Sequence, residues 1–228
     1  MNILIIGATS GIGYELWKHY ITMGNTVAIT GRRDEILQSQ IKESPDSTIA
    51  FQCDIANLNS FDSMLKNLMS KFEHLDLAII CAGAGGLNPD LDLSTELATL
   101  SVNVNGWINA VGSIYKIFEK QKSGHLVTIT SVGGLQPTPI APSYSASKAF
   151  QINYTRSLQQ KCKGTPIVIT EIRPGLVDTR MANGEGLFWV MPLNKVVKEI
   201  ITAVGRKKRL EIVTTRWRII NFILKHFM

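Results

Sequence analysis

Short apolar runs rich in Ile and Val alternate with longer stretches of helical period along nearly the whole chain. Strands are expected at NILII (2–6), TVAIT (26–30), TIAFQ (48–52), LAII (77–80), HLVTIT (125–130), IVITEI (167–172) and LEIVT (210–214). Between them the 3.6-residue period predicts helices over 11–22, 34–43, 58–71, 95–120, 146–162 and 194–204. Strands separated by helices pair in parallel through right-handed crossovers, and the helices cover both sheet faces. The expected architecture is therefore a doubly wound α/β fold of seven strands. Ligands of such folds bind beyond the carboxyl ends of the strands, which directs attention to the turns that follow them.

With 228 residues and 45% hydrophobic content, the chain is long enough for one well-filled core. The expectation is a single domain over 1–214 followed by a tail over 215–228. No apolar run approaches the ~20 residues that cross a bilayer, and MNILIIG lacks the basic start of a signal peptide, so cytoplasmic residence is expected. Cys53, Cys81 and Cys162 are odd in number and far apart, which argues against a disulfide framework or a zinc site. The four histidines are scattered too, so no metal-ligand constellation is present in the sequence. The net charge of +6 does not imply a nucleic-acid partner. From Arg206 onward there are seven basic residues against Glu211 alone, and without them the rest of the chain is balanced. In the tail, Arg218, Asn221 and Lys225 oppose a broad face of Trp217, Ile219, Ile220, Ile223, Leu224 and Phe227 at helical pitch. Such a basic amphipathic helix docks on its own domain, packs against a second subunit, or makes peripheral contact with a membrane.

The first strand runs into GATSGIG directly before a helix. Gly7 permits a tight turn, Gly11 lets backbone approach a pyrophosphate, and Gly13 allows close helix packing, while the helix start offers amide donors. The spacing G-x-x-x-G-x-G differs from the generic G-x-G-x-x-G. The second strand ends in TGRR, where a carboxylate would bind the ribose 2′-hydroxyl of NAD(H). Arg32 and Arg33 instead suit a 2′-phosphate, so NADP(H) is the preferred cofactor and NAD(H) the alternative.

YSASK places Tyr144 and Lys148 four residues apart, on one face of a helix. YELWK repeats the spacing at Tyr14 and Lys18, but inside the helix that follows the glycine loop and with no serine placed before it. Ser131 ends the fifth strand in TITSVGG, thirteen residues before Tyr144. A phenol of pKa ~10 needs roughly 4 kcal/mol of differential stabilisation to become a base near neutrality. An ammonium about 4 Å away contributes on the order of that amount at an effective dielectric of 20.

Together with CAG (81–83), VNVNG (102–106) and RPGLVDT (173–179), these motifs resemble the short-chain dehydrogenase/reductase family over roughly residues 1–214. The resemblance implies a Rossmann-type fold and an NAD(P)-linked oxidoreductase, commonly a homodimer or homotetramer. It implies a catalytic tetrad of Asn103, Ser131, Tyr144 and Lys148. Tyr144 would exchange the proton, Ser131 bind the substrate oxygen, Lys148 hold the nicotinamide ribose, and Asn103 anchor a water. Cofactor contacts implied in the same way are Gly7, Ser10, Gly11, Ile12, Gly13, Arg32, Asp54, Ala82, Gly83, Tyr144, Lys148, Pro174, Val177 and Thr179. The stretch IICAG departs from the family's Asn-Asn-Ala-Gly, with Cys81 where an asparagine would brace the sheet. A strand-end thiol there is expected to be a buried small hydrophobe. The segments 133–143 and 180–191 mix prolines with large apolar residues, which favours a hydrophobic carbonyl or alcohol substrate, and the short stretch after Thr179 leaves room for only a small lid. Two other readings stand beside this one. A non-catalytic dinucleotide-binding regulator would usually have lost Ser, Tyr or Lys, and a sugar-nucleotide epimerase would need a longer chain.

Overall fold

The computed structural model describes residues 1–179 and 189–219. Its strands are β1 (Asn2–Ile6), β2 (Thr26–Gly31), β3 (Thr48–Gln52), β4 (Leu77–Ile80), β5 (Gly124–Ile129), β6 (Ile167–Pro174) and β7 (Leu210–Val213). They form one parallel sheet in the order β3-β2-β1-β4-β5-β6-β7, so the chain reverses direction of travel between β1 and β4. That switch point opens a crevice at the carboxyl edge, where ligands of doubly wound sheets lie.

Alternation along each strand divides the apolar side chains between two cores. Leu4 and Ile6 of β1, with Ala78 and Ile80 of β4, face one side. There they meet Phe61, Leu65 and Leu68 of α3 (Leu58–Met69) and Trp107, Ile114 and Phe118 of α5 (Trp107–Gln121). Ile3, Ile5, Leu77 and Ile79 face the other side, against Leu16 and Trp17 of α1 (Gly11–Thr22) and Val196, Val197 and Ile200 of α7 (Leu193–Gly205). α2 (Asp34–Glu43) adds Leu37 to that second core. Central strands buried on both faces are why the sequence shows unbroken Ile/Val runs there.

Two helices differ from the periodicity. The rod expected over 95–120 is α4 (Leu93–Leu100), a π-helical stretch Ser101–Gly106, and α5. The wider π turn changes the helical phase at Asn103, and such insertions recur at functional sites. α6 (Pro142–Lys161) starts four residues before the expected 146, with Pro142 in its first turn, where a missing N–H costs nothing. Glu96 of α4 reaches across 47 residues to accept from the Ser143 amide at 3.0 Å. That carboxylate supplies the N-terminal partner the local sequence lacks.

After β7, residues 215–219 begin a helix. Trp217 packs on the second core, and Arg218 pairs with Glu199 and Glu211. Of the three placements open to the tail, this portion takes the one against its own domain. Residues 220–228, which carry most of the expected amphipathic faces, lie outside the described residues.

Candidate active site

The glycine loop between β1 and α1 is shaped by contact. Gly7 has φ +86°, and a Cβ on it would lie 2.7 Å from the Ala82 amide nitrogen, so β1 and β4 approach too closely for a side chain. A Cβ on Gly13 would meet the Gly7 carbonyl at 2.3 Å, which fixes the angle at which α1 leaves the loop. Exposed Ser10 stands before the helix and makes no side-chain cap, and no acidic residue lies in the first turn of α1. The leading amides of α1 therefore keep their partial positive charge for an anion. Thr179, arriving from β6, places its methyl 3.3 Å from where a Gly11 Cβ would be. Its neighbour Val177 is buried in a short parallel bridge to Met191. Asp54 after β3 accepts from the Ala56 amide at 3.0 Å.

This cradle fits a dinucleotide. The pyrophosphate would take the loop from Gly7 to Gly13, including Ile12. The adenine end would lie toward Asp54, and the nicotinamide end toward Ala82, Gly83, Lys148, Pro174 and Val177. At the ribose end, Arg33 donates Nη2 to Thr9 Oγ1 at 2.9 Å while Arg32 is exposed. Gly31 lies against the same Thr9, where a Cβ would sit 2.5 Å from Cγ2. Thr9 thus orients one of the two guanidinium groups beside the glycine loop.

Ser131, Tyr144, Lys148 and Asn103 converge at the carboxyl edges of β4 and β5. Ser131 Oγ accepts the Gly133 amide at 3.0 Å, capping a 3-10 turn, and a Cβ on Gly133 would sit 3.3 Å from that oxygen. The tyrosine ring stands in a slot between two glycines. A Cβ at Gly85 would meet Tyr144 Cδ2 at 2.4 Å, and one at Gly133 would meet Cε1 at 3.3 Å. Lys148 Nζ lies 5.9 Å from the centre of that ring and donates to the Ile129 carbonyl at 3.3 Å and to Gln151 Oε1 at 2.9 Å. Asn103 is fully buried. Its Oδ1 accepts from the Ala84 amide at 2.8 Å, and its Nδ2 donates to the Ala84 carbonyl at 2.7 Å and to Ser147 Oγ at 3.0 Å. The Asn103 side chain thus braces the loop after β4 against α6.

Burial governs the electrostatics of the unliganded site. It pushes the Tyr144 phenol above its ordinary value of 10.0, the nearby Ser131 hydroxyl opposing it, and lowers the Lys148 ammonium from 10.5 to about 8. The pair is therefore not the lysine-depressed phenolate that a 4 Å contact would give. At the end of β4, Cys81 keeps part of its surface open, yet the thiol is enclosed and burial pushes it up to about 12. That keeps the thiol protonated at neutral pH, while the residue itself is partly buried rather than the fully buried small hydrophobe expected. Sequence reasoning missed Thr9, Gly85, Glu96 and Gln151. Of these, only Gln151 had a local signal, seven residues after Tyr144 and three after Lys148 on one helix face.

The short chain dehydrogenase family model matches residues 1–186. The chain is 31% identical over 180 residues to the NADP-dependent 3-hydroxy acid dehydrogenase YdfG of Escherichia coli, covering 78% of this chain and 73% of that protein. It is 29% identical over 183 residues to an uncharacterised oxidoreductase of Staphylococcus epidermidis, covering 79% and 80%. Among solved structures, the closed form of serine dehydrogenase complexed with NADP+ superimposes with a TM-score of 0.80 at 25% identity, over 89% of this chain and 88% of that one. A 7beta-hydroxysteroid dehydrogenase, at 21% identity, shares the fold with a TM-score of 0.86 over 99% and 92%. The motif match, the sheet order and the assembled Ser-Tyr-Lys core agree: the chain belongs to the short-chain dehydrogenase/reductase family and is an oxidoreductase of that family.

Proposed function

We propose that this protein interconverts a carbonyl and an alcohol with NADP(H) in preference to NAD(H), using Tyr144 as the proton-transfer group. The observation that carries this reading is Tyr144 held between Gly85 and Gly133, with Ser131 Oγ on the same Gly133 turn and the Lys148 ammonium 5.9 Å from the ring centre. When bound along the glycine loop and toward Lys148, the nicotinamide cofactor would supply the hydride chemistry of the reaction. Ser131 Oγ orients the substrate oxygen and stabilises charge that develops on it. Tyr144 Oη donates its proton to that oxygen in reduction and takes it back in oxidation. Because burial keeps the phenol protonated, the resting site is in the form that carbonyl reduction consumes. Lys148 holds positive charge 5.9 Å from the centre of the Tyr144 ring and would hold the nicotinamide ribose, and Asn103 holds the loop that carries Ala84.

Two supports favour NADP(H). Arg32 and Arg33 stand at the ribose end, and two of the relatives are named for NADP or contain it. For the substrate, Ile140, Trp189 and Val190 are large exposed apolar side chains on the two expected walls, which supports a hydrophobic ketone, aldehyde or secondary alcohol. Residues 180–188 of the second wall, and the small lid expected there, lie outside the described residues. The proposal includes a homodimer or homotetramer working in the cytoplasm, a state light scattering and fractionation measure directly.

The deciding experiment screens hydrophobic carbonyls beside small keto and hydroxy acids for NADPH or NADP+ turnover. Tyr144→Phe should lower kcat by about 100- to 10,000-fold with the melting temperature retained. Equal rates in variant and wild type would sink the mechanism, and turnover confined to small anions would overturn the substrate class.

A further inference from the structure

One buried polar side chain lies outside the Ser-Tyr-Lys core yet touches it. Gln151 has no exposed surface. Its Oε1 accepts from Lys148 Nζ at 2.9 Å, and its Nε2 donates to the backbone carbonyl of Asn103 at 2.9 Å. Tyr144, Lys148 and Gln151 follow at i, i+4 and i+7 of α6, so one helix face carries all three. Opposite them, the π-helical stretch presents Asn103, whose own side chain is occupied by Ala84 and Ser147.

We propose that Gln151 is a positioning residue for the reaction, an amide bridge that aims the Lys148 ammonium at Tyr144 and ties it to the π-helical stretch. This rests on the carbonyl–alcohol reading of the same site. Both ends of the amide are used, so its orientation is fixed: the Asn103 carbonyl can accept only from the NH2 group, which leaves the oxygen for the lysine. A buried ammonium needs acceptors, and here it has two neutral ones, Gln151 Oε1 and the Ile129 carbonyl. An amide transmits position and does not pass a proton along, so the bridge holds the lysine without draining its charge. The other groups facing Lys148 are Tyr144 from its own helix and Cys81 from β4. β5 and the π-helical stretch contribute neutral groups, the Ile129 carbonyl and the Asn103 amide. The resting charge of Lys148 therefore depends on hydrogen bonds more than on a carboxylate partner.

The test uses Gln151→Met, which keeps length and volume and removes both hydrogen bonds, and Gln151→Glu, which keeps the acceptor and adds negative charge. NMR titration of isotope-labelled lysine, assigned with Lys148→Met, reads the ammonium without turnover. The Lys148 midpoint, about 8 in the wild type, should fall by about one pH unit in Gln151→Met, the tenfold that a hydrogen bond to a charged group is worth. In Gln151→Glu it should rise. The high-pH limb of the carbonyl-reduction rate should move the same way in each variant, because activity is lost as Lys148 deprotonates. A folded Gln151→Met with unchanged midpoint overturns the proposal. If Gln151→Met does not fold, an unchanged midpoint in Gln151→Glu does so. A wild type without turnover sinks the functional reading alone, since the lysine titration still reports the bridge.

Discussion

Lys148 shows what the site costs the fold. Burial takes its ammonium from 10.5 to about 8, which corresponds to about 3 kcal/mol of disfavoured charge at neutral pH. Lys148→Met relieves that cost but leaves Gln151 Oε1 without its donor, a loss of about 1 kcal/mol. The variant should be inactive yet more stable by about 2 kcal/mol at pH 7 in urea denaturation. The sign fixes the pH window. The folded value lies below the unfolded one, so the unfolded chain binds the extra proton, and wild-type stability should rise between pH 8 and 10.5. The gain over wild type should shrink across that interval, and a gap that stays constant would contradict burial as the cause. His125 has the same sign in a lower window, so at neutral pH it is already uncharged and carries no such cost. Buried on β5 with Nε2 2.8 Å from Thr170 Oγ1, it is held neutral, lowered from 6.5 to about 4 first by burial and then by Lys207. Acidification from pH 6.5 toward 4 should then remove up to about 3 kcal/mol of stability, and His125→Gln should flatten that part of the denaturation profile. At this scale the sequence exposed residues whose roles depend on spacing: Ser131, Tyr144 and Lys148 lie within one strand, turn and helix. Thr9 on Arg33 and Gly85 on Tyr144 were hidden, because each meets its partner only after distant segments close together.

Among the elements, the α4–π–α5 rod and α6 decide how Asn103, Tyr144 and Lys148 face one another. The periodicity of 95–120 was readable as helix, but a π turn changes the phase by one residue without breaking the apolar pattern, so nothing in the pattern marked it. The start of α6 was obscured for a related reason. Pro-Ser-Tyr-Ser reads as a turn when its capping group lies 47 residues away. Glu96 holds two positions at once, accepting from Ser143 N with Oε2 and from Asn88 Nδ2 with Oε1 at 2.7 Å. The backbone N–H of Asn88 in turn donates to the Ile140 carbonyl, so the loop after β4 and the loop before α6 share one anchor. Tyr144 is the third residue of α6 and depends on that first turn. Glu96→Ala should cost about 1–2 kcal/mol in denaturant midpoint, with a several-fold loss of kcat for the proposed reaction. A stability loss with kcat intact would mean that the cap supports the helix without aiming the tyrosine.

For the whole molecule, the two cores were legible in advance because central parallel strands are apolar on both faces and helices are apolar on one. The tail was less legible, since an amphipathic stretch does not specify what it covers. In the structure its first turn closes the second core, bringing Trp217 onto Gly175, where a Cβ would sit 2.1 Å from indole Nε1. Gly175 directly follows β6 and precedes Val177 and Thr179, so the tail buttresses the segment expected to meet the nicotinamide end. Arg216 stacks 5.4 Å from the Trp189 ring, joining the same turn to the other side of that segment. The contact is apolar in character, because Trp217 Nε1 is buried with no hydrogen-bond partner among the described residues. Two substitutions separate packing from polarity. Trp217→Ala opens a gap against Gly175 and should cost about 2 kcal/mol in denaturation and weaken NADPH binding, measured by fluorescence titration. Trp217→Phe gives up some contact area but also removes a buried N–H that has no partner among the described residues, a group whose unpaired burial costs about 1–3 kcal/mol, so its stability should fall within about 0.5 kcal/mol of wild type or exceed it. If Phe costs as much as Ala, the indole nitrogen has a partner and the tail is held by polarity; if neither variant changes stability or NADPH binding, the tail does not buttress the site.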